Sequence, residues 1–247
     1  MCFPVDNWSP KTGVWKTVTV VGIHQPNYFP WVGYFHKIAC VEKFIFLDDI
    51  QYSKGSYTNR VQYLFNDEVH WLTVPCKPKF GTKINKVRIL SDGWQEQHLN
   101  KIKSAYLKCP LFNEMWPNVE NWLSIEINGN LSDLNINIIK EICAYLDIKT
   151  KFYRSSEIFI GQESNASERL VKLTKAVGGN EYFSGLGAKK YQKERPFFEQ
   201  SLSIAYSSFV EKPRRQASTC FKQGLSILDL ILNIDPAQAK NMILAKG

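Results

Sequence analysis

The sequence predicts an α/β fold, in which a mostly parallel, Rossmann-like sheet is flanked by helices, with an irregular insert near residues 50–95. The first observation is that Val18–Ile23 and Phe44–Leu47 are almost continuously apolar. Runs of this kind are typical of parallel strands that are buried on both faces. The second observation is that such runs alternate with segments of helical periodicity, which indicates strand–helix–strand units.

The remaining elements follow the same alternation along the chain. Further strands are predicted at Trp71–Val74, Lys151–Arg154, Glu181–Ser184 and Leu202–Ser207. Helices are predicted at Pro30–Ala39, 94–107, Leu134–Leu146, Asn165–Val177, 188–200 and Ser226–Leu232, with a short helix from Pro236. Asn165 or Ser167 suits the N-cap of its helix, and Gly178 and Gly179 suit that helix's end.

The 247 residues are expected to form an N-terminal arm (1–17) followed by a single domain (18–247). No apolar stretch approaches the roughly 20 residues that span a bilayer, and the first residues lack the pattern of a secretion signal. The six cysteines are scattered and no two lie at zinc-site spacing. These features favour a cytoplasmic protein with free thiols and no membrane span.

The net charge of +8 favours an anionic partner. Its basic residues are dispersed along the chain rather than clustered in blocks. This distribution favours a small polyanionic ligand over nucleic acid.

The polar signatures of the chain follow the apolar strands. The segment HQPNYFP follows the first strand and Asp48-Asp49 follows the second, while Ser184-Gly185 follows a later one. In open α/β sheets, ligands bind outside the carboxyl ends of the strands. The sequence therefore predicts a site at this edge, in a loop that Pro26 and Pro30 make rigid.

Long stretches of the chain resemble the WbqC-like protein family. They are IHQPNYFPWVGYFHKI, FIFLDDIQYSKGSYTNR and WLTVP in the first half, and ERLVKLTKAVGGNEYFSGLGAKKY, KPRRQ and LSILDLILN in the second. The resemblance runs from about Val18 to Asn233. It departs from the family pattern after the lysine of QYSK, where Gly55 stands in place of a basic or bulky residue. The resemblance implies a role in bacterial O-antigen or other surface-polysaccharide biosynthesis, with modification of a sugar by an acyl or aminoacyl group.

His24, Asp48 and Asp49 are the candidate catalytic residues. A histidine titrates near neutral pH and can act as a base. Two adjacent carboxylates can bind a hard cation, or one of them can act as a general base if the pair raises its pKa.

The candidate substrate-binding residues are polar, aromatic or basic side chains and glycines of the same edge. They are Gln25, Asn27, Tyr28, Trp31, Tyr34, Tyr52, Lys54, Asn59, Arg60, Ser184, Gly185, Gly187, Arg214, Arg215 and Gln216. Tyr28, Trp31 and Tyr34 would form a stacking wall. Arg60, Arg214 and the SGLG loop would hold an anionic donor.

Three functions are compatible with these residues. The first is a transferase that modifies a nucleotide-linked sugar, by N-acylation or aminoacylation of an amino sugar from an anionic donor. The second is a glycosyltransferase with a divalent metal on the aspartate pair, and the third is a non-catalytic module that binds nucleotide sugars or nucleic acid. The sequence leaves the cofactor unknown, so that use of a metal or of ATP stays open, as does a homodimer.

Overall fold

A computed structural model describes residues 7–9, 14–16, 18–90, 93–124, 128–163, 165–190, 192–216, 218 and 220–245. Its strands are β1 (Asn7–Ser9), β2 (Val14–Lys16), β3 (Val20–His24), β4 (Lys43–Phe46), β5 (Arg60–Phe65), β6 (Glu68–Thr73), β7 (Lys151–Arg154), β8 (Glu181–Ser184) and β9 (Ser203–Tyr206). Its α-helices are α1 (Val32–Ala39), α2 (Trp94–Tyr106), α3 (Phe112–Ser124), α4 (Leu131–Tyr145), α5 (Ala166–Ala176), α6 (Arg195–Glu199), α7 (Ile227–Ile231) and α8 (Pro236–Leu244). Short 3₁₀ turns lie at Ile84–Lys86, Ser155–Glu157 and Leu186–Lys190.

The central sheet has five parallel strands in the order β7-β4-β3-β8-β9, which confirms the predicted α/β class. Successive side chains of a strand point to opposite faces. Accordingly Val21, Ile23 and Ile45 pack on one face with helix α5 residues, while Phe44 and Phe46 join the larger core on the other face. Both faces are therefore covered, as the apolar strands require.

The insert is more regular than the sequence indicates. Strands β5 and β6 form an antiparallel hairpin outside the central sheet, and the predicted run Trp71–Val74 lies largely within β6. The prediction missed β5, as well as helix α3, which contains Pro117. The predicted helix 188–200 is divided into a 3₁₀ turn and the short helix α6. In the N-terminal arm, β1 and β2 pair with each other.

Helix α5 begins and ends as predicted. Asn165 is its N-cap, and the Asn165 side chain accepts a hydrogen bond from the Glu168 amide at 3.0 Å. Gly178 has φ +73, a left-handed conformation that favours glycine at a helix end.

Gly179 follows helix α5 and lies close to Val21 of β3, and its replacement by alanine is expected to destabilise the protein by about 1–3 kcal/mol. A Cβ there would lie 2.3 Å from Val21 Cγ2 and 2.9 Å from the Thr174 carbonyl oxygen. Chemical denaturation of Gly179→Ala and Gly187→Ala measures the difference, since a Cβ on Gly187 meets nothing within 4 Å. Equal stabilities would contradict this packing.

Candidate functional site

The candidate site lies where the strand order reverses, between β3 and β8. These are the first and fourth strands of the central sheet along the chain. Their pairing ends at Gly22 and Phe183, whereas β3 stays paired with β4 as far as His24. Strands β3 and β8 therefore separate at their carboxyl ends. A crevice at such a switch point is where open α/β sheets bind ligands.

His24 ends β3 at this edge of the sheet, and the residue is exposed. The imidazole Nδ1 lies 3.1 Å from the Gln25 carbonyl oxygen. Because a carbonyl only accepts hydrogen bonds, this contact assigns the proton to Nδ1 and leaves the Nε2 lone pair free. The ring is also held by edge-on contact with Tyr34, at 4.9 Å between centroids.

The surrounding protein keeps His24 neutral. Although His24 is exposed on one side, the protein around the rest of the ring removes part of its hydration, and this loss together with the positive charge of Lys37 lowers the pKa of His24 to about 4. The imidazole is therefore unprotonated at neutral pH. With Nδ1 engaged and Nε2 free, the ring can accept a proton at Nε2, and its lowered pKa makes it a weaker base than an ordinary histidine.

Lys37 is a buried cation beside the crevice, and the sequence predictions did not include it. Its ammonium group donates to the Ile23 carbonyl at 2.7 Å and lies 5.6 Å from the centroid of the Tyr182 ring. The His24 carbonyl accepts from the Leu47 amide on the β4 side, so the preceding Ile23 carbonyl faces β8. Lys37 thus fills the gap where β3 and β8 part.

Burial lowers the pKa of Lys37 to about 7. Within the described part of the chain, no carboxylate forms a salt bridge with it. An ammonium group without a negative partner is costly to bury, which is the physical reason for the lowered pKa.

The loop after His24 holds both core and accessible side chains. Tyr28 is fully buried, and its hydroxyl lies 2.8 Å from His98 Nδ1. Tyr34 is also buried, and its hydroxyl donates to the Gln25 carbonyl at 2.8 Å. Neither tyrosine can take part in the expected stacking wall, because core packing covers both rings. Asn27 is buried too, while Gln25 is half-buried and accepts from the Thr58 hydroxyl at 3.4 Å.

Trp31 is the accessible member of the expected wall, with 39% of the residue exposed. Its indole lies against Gly33, where a Cβ would meet the ring at 2.3 Å. The ring also contacts Phe209 edge-on, at 5.9 Å between centroids. Gly33 therefore lets the indole fold back onto helix α1.

Asp48 and Asp49 bind protein groups. Asp48 is fully buried and accepts from the Ser156 amide at 3.0 Å, from the Ser156 hydroxyl at 2.9 Å and from Ser155. Asp49 accepts from Ser155 and forms an ion pair with Arg169 at 2.5 Å. Burial would raise the pKa of Asp49, but the Ser155 and Arg169 hydrogen bonds and the Arg169 charge outweigh it and lower the pKa. Asp49 is thus a weak base in an ion pair. Asp48 and Asp49 together link the end of β7 to the end of β4.

The aspartate pair does not fit a divalent cation. The oxygens of Asp48 accept from serine donors, and a guanidinium already neutralises Asp49. Across the residues that the structure describes, no three His, Cys, Asp or Glu side chains are grouped to hold a metal.

The insert contributes two anchoring residues and two accessible basic residues. The Tyr52 hydroxyl donates to Asn59 Oδ1 at 2.8 Å, and Asn59 Nδ2 donates to the Val74 carbonyl at 3.0 Å. These bonds hold the loop in place. Lys54 is exposed, and the half-buried Arg60 stacks on Trp71 at 4.1 Å from the ring centroid.

The SGLG loop follows β8 on the other side of the crevice. Ser184 is buried and its hydroxyl donates to Gln192 Oε1 at 2.8 Å, which fixes the start of the loop. A Cβ on Gly185 or Gly187 would meet no atom within 4 Å, so the backbone of both glycines has open space beside it.

Arg214 and Gln216 lie in a buried polar network. The Arg214 guanidinium pairs with Glu211 at 3.1 Å and with Asp229 at 2.9 Å, and Gln216 donates to Asp229 at 2.8 Å. Since these side chains bind one another, the expectation that both contact substrate does not match their place in the fold. Arg215, beside them in sequence, is exposed.

Comparison with known proteins identifies the family. The model of the WbqC-like protein family matches residues 25–241. The chain belongs to the WbqC-like protein family. It is also 34% identical, over 221 residues, to the uncharacterized protein Rv1507c of Mycobacterium tuberculosis, an alignment that covers 87% of this chain and 93% of that protein. No solved structure matches the chain.

A second residue that the predictions missed positions the site of this WbqC-like protein. Asn135, buried in helix α4, donates to the Pro26 carbonyl at 2.9 Å and to the Thr58 carbonyl at 2.7 Å. One amide thus ties the loop after His24 to the insert. Asn135 lies among apolar residues in LNINIIKEICAYL, and a polar residue on the buried face of a helix is the signal that could have found it.

None of the helices described in this WbqC-like protein has the length and apolar character needed to cross a bilayer.

Proposed function

We propose that this WbqC-like protein is a transferase that N-acylates or aminoacylates an amino sugar linked to a nucleotide, in the cytoplasmic stage of bacterial surface-polysaccharide synthesis. The observation that supports it best is the exposed, neutral imidazole of His24 at the sheet's switch point. A transfer to an amine needs a base that is unprotonated at neutral pH.

In this reaction the sugar amine attacks the acyl carbon of the donor. The C–N bond forms, the bond to the donor's leaving group breaks, and Nε2 of His24 takes the proton that the amine loses. The SGLG loop and the accessible basic residues of the insert are suited to the anionic parts of the two substrates. The metal-dependent glycosyltransferase is less well supported, because Ser155, Ser156 and Arg169 occupy the oxygens of the aspartate pair.

A thermal-shift screen identifies the substrates. Its panel holds nucleotide-linked amino sugars, coenzyme A and acyl-coenzyme A, ATP with amino acids, and divalent metals. A ligand at 100 times its Kd stabilises the protein by about 2.7 kcal/mol. Stabilisation by a nucleotide-linked amino sugar without metal supports the proposal, whereas stabilisation by a nucleotide sugar only together with a metal favours a glycosyltransferase.

His24→Ala is expected to lower kcat for the transfer by about 10²–10⁴-fold while the fold is kept, because it removes the base. Product is measured by mass spectrometry with the amino sugar found in the screen. His70→Ala, at a partly exposed histidine of the β5–β6 hairpin, is the matched control and should retain activity. Full activity of folded His24→Ala would refute the role of His24.

A further inference from the structure

The outer face of the β5–β6 hairpin and the loop before it carry two exposed aromatic rings and a guanidinium in contact. Tyr57 is 46% exposed and Trp71 is 36% exposed. Their ring centroids lie 5.7 Å apart, and the Arg60 guanidinium lies 4.1 Å from the Trp71 centroid. We call these three residues the hairpin platform.

The hairpin register creates this arrangement. Arg60 faces Thr73 and Gln62 faces Trp71, so Arg60 and Trp71 are diagonal neighbours on the same face. Val61 and Leu72 point the other way and are buried in the core. The inner face thus fixes the hairpin, while the outer face leaves the platform open.

Arg60 lacks an anionic partner. No carboxylate among the described residues forms a salt bridge with it, and its buried Nε has no hydrogen-bond partner. Gly55, with φ +75, lies beside the guanidinium, where a Cβ would come within 3.4 Å of Nη2. The buried Nε is out of reach of a ligand, but the guanidinium has no carboxylate partner among the described residues, which suits Arg60 to bind an anion through Nη1 and Nη2.

The platform is bonded directly to the loop that follows His24. The Tyr57 carbonyl accepts from the Tyr28 amide at 3.0 Å, and the Thr58 hydroxyl donates to Gln25 Oε1 at 3.4 Å. Asn135 bonds to both loops. The platform and the loop after His24 are therefore held in a fixed arrangement by direct hydrogen bonds.

We propose that the hairpin platform is the nucleotide subsite: the base stacks on Tyr57 and on the part of the Trp71 ring that Arg60 leaves exposed, and Arg60 binds the diphosphate. This subsite rests on the function proposed above. It would bind the nucleotide end of the substrate, which is remote from the amine that His24 would deprotonate. Aromatic rings stack any base, and a guanidinium binds phosphate oxygens with two parallel hydrogen bonds.

Calorimetric titration with UDP, dTDP and GDP, and with the nucleotide sugar found in the screen, tests the subsite. Trp71→Ala is expected to raise the Kd about tenfold or more, Arg60→Met is expected to raise it similarly, and Trp71→Phe to restore most of the affinity. Phe80→Ala, at a 98% exposed ring of the same insert, is the control and should leave the Kd unchanged. Circular dichroism checks that each variant is folded.

Three other outcomes would each contradict the nucleotide subsite. If the wild type binds the nucleotide and the platform variants bind it equally well, the subsite is wrong but the proposed function stands. If the variants lose affinity for a free amino sugar and keep it for UDP, dTDP and GDP, the platform binds the sugar instead. If the wild type binds neither nucleotides nor nucleotide sugars, both the subsite and the proposed function are overturned.

Discussion

Replacement of Arg214 by methionine is expected to destabilise the protein by about 3–5 kcal/mol. The side chains of Arg214, Glu211 and Asp229 are only 2%, 4% and 0% exposed, so all three charges are buried. Methionine fills a similar volume but leaves two carboxylates without a counter-charge. Burial already raises the pKa of Asp229 to about 6, even though Arg214 opposes that rise. Loss of the guanidinium removes this opposition and raises the pKa further.

Chemical denaturation of Arg214→Met and Arg215→Met measures the effect. Arg215 is the neighbouring residue, carries the same charge and is exposed, so its replacement should change the free energy of unfolding by about 0.5 kcal/mol or less. Equal stabilities of the two variants would contradict the buried network. A selective loss of ligand affinity in folded, stable Arg214→Met would instead return Arg214 to the substrate-binding residues.

The two arginines show how far sequence reasoning reaches. In KPRRQ nothing distinguishes Arg214 from Arg215. The fold decides between them, because it brings Asp229, 15 residues further along the chain, to Arg214. By contrast, the N-cap at Asn165 is local chemistry, and the structure confirms it. Local signals thus predicted both ends of helix α5, whereas the pairing of Arg214 with Asp229 depends on the fold.

The candidate site divides in the same way. The rule that ligands bind at the carboxyl ends of parallel strands predicted that His24 and Ser184 would lie at one edge, and the strand order places them at its switch point. Residue type alone could not tell which of the aromatic residues are buried in the core and which are accessible to a ligand. Tyr28 and Trp31 are three residues apart, yet Tyr28 is fully buried and Trp31 is exposed.

Lys37→Met is expected to make stability less dependent on pH. The pKa of Lys37 is about 7 in the folded protein and about 10.5 in the unfolded chain, so between these values the unfolded state binds more protons. The wild type is therefore stabilised as the pH rises from 7 toward 10.5, and carries the full cost of the buried ammonium below pH 7. Between pH 6.5 and 9.5 its free energy of unfolding should increase by about 3 kcal/mol more than that of Lys37→Met.

Urea denaturation at these two pH values measures the difference, and Lys54→Met, at an exposed lysine, controls for the loss of one cation. The uncovered Ile23 carbonyl lowers the stability of Lys37→Met equally at both pH values, so it does not enter the comparison. If the free energy of unfolding changes by the same amount between the two pH values in Lys37→Met and in the wild type, Lys37 is not a buried cation with a lowered pKa.

Lys37→Met also tests whether the charge of Lys37 lowers the pKa of His24. Below pH 7 Lys37 is protonated, and its charge opposes protonation of His24. The pKa of His24, measured by NMR of the imidazole, should therefore rise from about 4 toward its ordinary value in Lys37→Met and stay unchanged in Lys54→Met. A base that remains neutral well below pH 7 can accept a proton over a wider pH range. The same low pKa makes it a weaker base. The charge of Lys37 thus adds to the larger effect of desolvation in lowering the acid limit of the transfer reaction, which should move to higher pH in Lys37→Met.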